Sequence, residues 1–295
     1  MGGCFPAYLC AQAPHKDLPA FITFGKGASP RSGDLFQQQV ILFSVPVQGA
    51  PPTLWLRIWD PETGGMNDEI NGGAANTTTR FSVYGGQGAF LTPPSWELTE
   101  SGIPPKYCKK GSLLMYKEFG ADSKYDNKFY SFGPINVKSG EKKGDRYYFK
   151  LVVEGQKGDD GNIYNVQLSA DKENTRTILG AKAFAYWFSI QLTPQYNCVQ
   201  FRQSEGLSDF VPYIYNLEKK ASVRPLGNEK SEYEYAAAGK GSWSVSHCQV
   251  GEGIRVFNLM ITTPTTGARN NVTILGRDQN GSLLKIMRGP FGLQK

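Results

Sequence analysis

Leu54, Leu56 and Ile58 alternate with Trp55, Arg57 and Trp59, and that two-residue period marks a strand with one face turned to a core. Similar alternation, or a short apolar run, recurs along the chain. It predicts strands over residues 21–24, 39–47, 77–84, 145–154, 163–168 and 183–192, then over 242–247, 254–262, 271–275 and 282–287. Within 183–192, Phe184, Tyr186, Phe188 and Ile190 share a face, with Trp187 opposite. The turn Asp278, Gln279, Asn280, Gly281 is a hairpin signal, because Asn-Gly supplies positive φ at little cost. Sustained helical periodicity is absent, so the pattern predicts an all-β chain.

At 295 residues the chain has room for two β-domains. Residues 14–193 read as a jelly-roll-like β-sandwich, 194–240 as a connection, and 241–295 as a smaller Ig-like β-sandwich. The 34 glycines and 18 prolines, spread throughout, fit many short strands joined by turns. Residues 91–110, with two Pro pairs, read as a long loop. Residues 116–132 interleave Tyr116, Phe119, Tyr125, Phe129, Tyr130 and Phe132 with Asp and Lys. That stretch is either a binding rim or a loop packed by its own rings.

The strand ending at Trp59 runs into Asp60, Glu62, Asp68, Glu69 and Asn71. So many oxygen donors suit calcium, which accepts irregular sets of carboxylates and carbonyls. The spacing is not that of an EF-hand, and the same residue types also serve turns. Asp159, Asp160 and Asn162 lie in the turn 158–162 and would complete a cation site if the two turns meet. On the face opposite Leu56, Trp55 and Trp59 flank Arg57, an arrangement that either stacks on a sugar ring or lies beneath a covering loop. Large aromatics are usually mostly buried, which favours packing for Trp59.

A net charge of +6 with charged residues at 20% comes without the clustered Lys/Arg stripe that phosphate neutralisation would require, so nucleic acid is not an expected partner. Nucleophilic catalysis needs a base, and the two histidines are His15 and His247. His247 adjoins Cys248, but neighbours in a strand point to opposite faces. No nucleophile elbow, P-loop, dinucleotide fingerprint or H-E-x-x-H motif occurs. A glycosidase pair among 26 acids needs no motif.

The A-x-A pattern Ala11, Gln12, Ala13 suggests a signal peptide over 1–13, hence a secreted or cell-surface protein. A lipoprotein reading at Cys4 lacks the upstream apolar residues. Export would leave Cys108, Cys198 and Cys248, with Cys198–Cys248 as the expected disulfide and three buried free thiols as the alternative. No Cys/His spacing supports zinc. No apolar stretch is long enough to predict a membrane span.

The stretch QVILFSVPVQGAPPTLWLRIWDPETGG, an apolar strand, a turn and a strand ending in an acidic loop, resembles bacterial secreted jelly-roll domains of the pre-peptidase C-terminal type. The resemblance covers roughly the first 190 residues in outline and implies a non-catalytic appendage of a secreted protein. It transfers no residue roles. The expected function is therefore an exported, non-enzymatic binding or assembly protein with a calcium-held loop, whose partner is a surface protein, matrix or glycan. The alternative is a carbohydrate-active hydrolase or its sugar-binding accessory.

Overall fold

A computed structural model describes residues 20–91, 108–226, 238–263 and 271–288. The expected leader 1–13, Cys4, His15 and most of the 91–110 loop lie outside the described residues. The strands are β1 Ala20–Phe24, β2 Gln38–Pro46, β3 Thr53–Trp59, β4 Thr78–Gly85, β5 Ser112–Phe119, β6 Phe129–Asn136, β7 Glu141–Lys143, β8 Arg146–Lys157 and β9 Gly161–Ser169. They continue with β10 Lys182–Phe184, β11 Trp187–Gln191, β12 Gln195–Tyr215, β13 Ser222–Leu226, β14 Trp243–Val245, β15 Cys248–Thr263, β16 Asn271–Asp278 and β17 Lys285–Arg288. All pair antiparallel, as in an all-β sandwich.

The larger sheet has the order β13-β15-β12-β16-β11-β1-β9-β3-β6, with β14 and β17 also on β12. The smaller has the order β10-β2-β8-β4-β5, with β7 on β8. The boundary expected near Thr193 falls between β11 and β12, and the strands on either side of it share the larger sheet through the β11–β16 pair.

Between the sheets, Leu54, Leu56 and Ile58 of β3 meet Phe43, Phe81, Phe149 and Val153 of the smaller sheet. Tyr164 stands at the centre, edge-on to Phe81 at 5.0 Å and stacked on Phe21 at 5.8 Å. Its hydroxyl shares a 2.9 Å hydrogen bond with Thr23, so no polar atom is stranded there. Gln39 is wholly buried and ties β2 to β11: its Nε2 donates to the Ser189 carbonyl at 3.1 Å and its Oε1 accepts from the Ser189 amide at 3.1 Å.

A second apolar layer covers the outer face of the smaller sheet, where Val40, Leu42 and Val152 pack with Tyr84, Cys108 and Phe184. That explains why β2 reads as a continuous apolar run: both of its faces are buried. Lys150 is enclosed in the same layer and donates to the carbonyls of Lys110, at 2.7 Å, and Gly88, at 3.3 Å. Burial pushes its pKa down to about 8, with Cys108 and Glu141 acting in the opposite direction.

Several elements depart from the expected pattern. Residues 183–192 form two strands: β10 belongs to the smaller sheet and β11 to the larger, with Ala185 and Tyr186 at the break. Phe184 and Tyr186 therefore enter the outer layer, and Phe188 and Ile190 the inter-sheet core. β5 and β6 arise where loops were expected, and β12 replaces the connection. β12 escapes a pattern reading because its pairing with β15 is irregular between Arg202 and Asp209, which breaks the alternation. The expected hairpin turn forms, with Arg277 opposite Leu283, but β17 then pairs with β12.

The disulfide is a correction, because Cys198 and Cys248 are not bonded to each other. Cys198 lies opposite Met260, and Cys248 opposite Phe210. The two cysteines thus sit at distant points of the β12–β15 ladder, on the order of 40 Å apart along it, far beyond a disulfide's reach. Burial pushes the thiol pKa up to about 12 at Cys108 and about 11 at Cys248, which makes both poor nucleophiles. Among the described residues no helix is long and apolar enough to cross a membrane.

Phe188→Ala removes a ring from the centre of the sandwich and should cost about 3–5 kcal/mol in urea unfolding, whereas Tyr164→Phe, which removes one hydroxyl, should cost about 1 kcal/mol. Equal losses would contradict this account of the core.

Candidate functional site

β3 ends in a reversal at Asp60, whose φ of 55° is a left-handed conformation that Asp tolerates better than most residues. The Asp60 amide donates to the Lys128 carbonyl at 2.9 Å, which seats the loop after β3 against the turn between β5 and β6. Gly65 is required at its position: its φ is 62°, and an added Cβ would lie 2.5 Å from Asp126 Oδ1.

Asp60, Glu62 and Asp126 converge there, each offering a carboxylate oxygen within 4.8 Å of the others. Asp60 is 3% exposed and Glu62 2%. Asp60 Oδ1 accepts from the Asn127 amide at 2.8 Å, and Oδ2 from Asn67 Nδ2 at 2.6 Å. Glu62 Oε2 accepts from the Asp122 amide at 3.1 Å. Asp68 lies alongside, accepting from the Gly64 amide at 2.7 Å and from the Ile163 amide. Among the described residues no Lys, Arg or His forms an ion pair with any of these acids.

The electrostatics follow from that absence. Burial raises the pKa of Asp60, and Asp126 adds to it against two hydrogen bonds. Glu62 is raised by burial and then by the charges of Asp60, Asp126 and Asp122, outweighing its hydrogen bond from Asp122. Asp68 rises well above the usual range, from burial first and then from Asp60 and Glu62.

The two turns do meet, as a cation site spanning them would require, but their contacts are hydrogen bonds. Asp160 is wholly buried. Its Oδ1 accepts from the Asn71 amide at 2.7 Å, and its Oδ2 from the amides of Asn76, at 2.5 Å, and Thr77, at 3.1 Å. The Asp159 carbonyl accepts from Asn71 Nδ2 at 2.7 Å, and Asp159 Oδ1 from Asn76 Nδ2 at 2.7 Å. Glu69 exchanges backbone hydrogen bonds with Gly161, and its Oε2 accepts from Asn271 Nδ2 at 3.0 Å. Of the predicted ligands, Asp60 and Glu62 join the trio, while Glu69, Asn71, Asp159 and Asp160 serve as anchors of the fold. Asn162 Nδ2 donates to the Pro61 carbonyl at 2.8 Å and to Thr63 at 3.2 Å, on either side of Glu62. Its Oδ1 is buried without a hydrogen-bond partner.

Asp126 lies in the turn between β5 and β6, more than 60 residues from Asp60 and Glu62, so no local spacing links it to them. The available signal was Asp122 followed by Asp126 and Asn127, turn-forming residues between two strands.

Trp55 and Trp59 are both half-buried. Trp55 lies against Gly133, where an added Cβ would come within 2.6 Å of the indole. Trp59 meets Phe129 edge-on at 4.8 Å. Between them Arg57 is buried, stacked on Phe129 at 4.0 Å and donating to Thr175 Oγ1 at 2.8 Å and the Glu173 carbonyl at 2.9 Å. The centre of this face is therefore roofed by the loop after β9. His247 is exposed, 3.8 Å from Asp209, and makes no catalytic pair with buried Cys248.

No family model matches the chain, and no curated protein matches it. Among solved structures it is similar to the naturally occurring empty particles, or top component, of Cowpea mosaic virus, at 7% identity over 97% of this chain and 95% of that chain. The TM-score is 0.22, too low for any inference about fold or function.

The raised carboxylates make a signed prediction about pH. Asp34 has a buried Oδ1 without a partner, and its pKa is pushed up to about 7 by burial and then by the charge of Glu69. For Asp34, Asp60, Glu62 and Asp68 the folded state holds protons that the unfolded state has released, so stability is greatest at acid pH and falls as pH rises through the raised pKa values. In chelator the melting temperature should fall between about pH 5 and about pH 7.5, and Asp34→Asn should flatten the part nearest neutrality. A melting temperature that rises across that window would contradict these assignments.

Proposed function

We propose that this chain is a non-enzymatic binding or assembly module of an exported or cell-surface protein, and that calcium bound at Asp60, Glu62 and Asp126 holds the loop after β3. The observation that carries this reading is the convergence of three carboxylates, two of them buried, with no cationic side chain paired to them. The donors are all oxygen, which suits a hard cation, and calcium tolerates irregular geometry better than magnesium. Asp68 and the unpartnered Asn162 Oδ1 are further oxygen atoms carried by the same loop and the strand beside it. A cation there would replace mutual repulsion with shared attraction and fix the turn of Asp122, Asp126 and Asn127 to the loop of Asp60 and Glu62.

The hydrolase alternative has less support. Its acid pair would have to work from carboxylates enclosed by a turn, while Trp55 and Trp59 rest on Gly133 and Phe129 beside a roofed arginine.

Calcium should raise the melting temperature at neutral pH, since a ligand bound only by the folded state stabilises it by about 2.7 kcal/mol at a hundredfold excess over Kd. Asp60→Asn and Asp126→Asn should each remove most of that gain, and the gain should shrink at acid pH as protons compete for the carboxylates. Identical melting curves in chelator and in millimolar calcium would refute the reading.

A further inference from the structure

A basic cluster lies at the seam where the edge of the smaller sheet meets the larger one. Lys182 on β10 pairs across the sheet with Ser44 on β2, and Arg146 on β8 donates to Ser44 Oγ at 2.9 Å and to the Gly180 carbonyl at 2.6 Å. β17 is brought to β10 by reciprocal backbone hydrogen bonds between Ala185 and Ile286, at 3.1 and 2.7 Å. Lys285 on β17 then stands directly opposite Arg202 on β12. Its ammonium lies 5.3 Å from the Phe184 ring centroid. Four cations from four strands thus follow one another across the seam.

Like charges directly opposite one another destabilise a strand pair, so Arg202 facing Lys285 is a cost that the fold carries. Among the described residues none of the four forms an ion pair with an acid. Burial lowers the pKa of Lys285, and Lys182 and Arg202 lower it further. Lys182 is lowered by burial and then by Arg146 and Arg202, with Asp145 opposing. The groups are close enough to feel one another, and among the described residues Asp145 is the acid whose charge opposes theirs at Lys182.

We propose that Arg146, Lys182, Lys285 and Arg202 form a binding site for successive oxyanions of an acidic ligand, and that the ligand is a sulfated glycan. Lys182 and Arg202 are exposed, and strands of a sheet lie about 5 Å apart, so the cations make a short open row and not a closed pocket for one ion. A row matches a chain bearing repeated sulfates, which Arg binds through paired N–H groups and Lys as a point charge. Nucleic acid fits less well, because single strands also need free aromatic platforms. Here Phe184 is buried and Phe90 already carries Lys143, 4.6 Å from its centroid.

The test is titration of the full chain with a heparin oligosaccharide at low salt, once in chelator and once in calcium, so that failure of the cation reading leaves this one standing. Lys182→Gln with Arg202→Gln should weaken binding at least tenfold, while Lys219→Gln with Lys220→Gln, an equal loss of exposed charge elsewhere, should change it less than threefold. Lys285→Met, which keeps a long side chain without the charge, should weaken binding without lowering the melting temperature. Arg202→Gln should leave the melting temperature unchanged or raise it, since it removes a repulsion. Equal losses in the two double variants would mean diffuse attraction by net charge and would overturn the site, as would failure of the wild type to bind. Tighter binding of a single-stranded oligonucleotide than of heparin would overturn the glycan assignment.

Discussion

Asp160 is the residue on which the architecture of the acidic end depends. A wholly buried carboxylate takes three backbone amides, from Asn71, Asn76 and Thr77, while its own amide donates to Thr77 Oγ1 at 2.9 Å. Those amides have no strand partner to bond, and a buried N–H left unpaired would cost about as much as a lost hydrogen bond. One side chain on the β8–β9 turn thereby fixes the end of the long β3–β4 loop. With that end fixed and the Asp60 amide bonded to Lys128, the loop between must present Glu62 and Asp68 to the turn carrying Asp122 and Asp126. The acidic cluster is thus a consequence of how the loop is held at both ends.

The sequence pattern revealed strands wherever one face was apolar and the other polar. β3 is the clearest case: Leu54, Leu56 and Ile58 enter the core as their alternation requires, and Arg57 and the two tryptophans lie on the other face. The pattern failed at β5 and at the break between β10 and β11. β5 pairs with β4 alone and exposes Leu113 and Tyr116, so it lacks the polar face that marks an outer strand. Residues 183–192 change sheets in mid-run, and an aromatic sequence gives no sign of which layer each ring will enter.

The site was half legible for a related reason. Asp60 and Glu62 lie two positions apart in the chain and could be read as a pair, but Asp126 joins them only through the folding of β5 and β6 beside β3 and β4. Asp159 and Asp160 looked like ligands because Asp in a turn has two uses: it can bind a cation, or it can accept backbone amides. Only the count of amides within reach distinguishes them. Asp160 has three, so its lone pairs are largely committed, whereas among the described residues Glu62 accepts one hydrogen bond and Asp60 two.

The basic cluster was invisible for the same geometric reason, because Arg146, Lys182, Arg202 and Lys285 are scattered through 140 positions of the chain. A linear stripe never forms, and a net charge of +6 gives no hint of concentration. Both clusters set like charges together on a well-bonded backbone. In each case a ligand of opposite sign would remove a repulsion already built into the fold while adding its own attraction. A preformed cluster of this kind needs little reordering to bind, so more of the interaction energy appears as affinity.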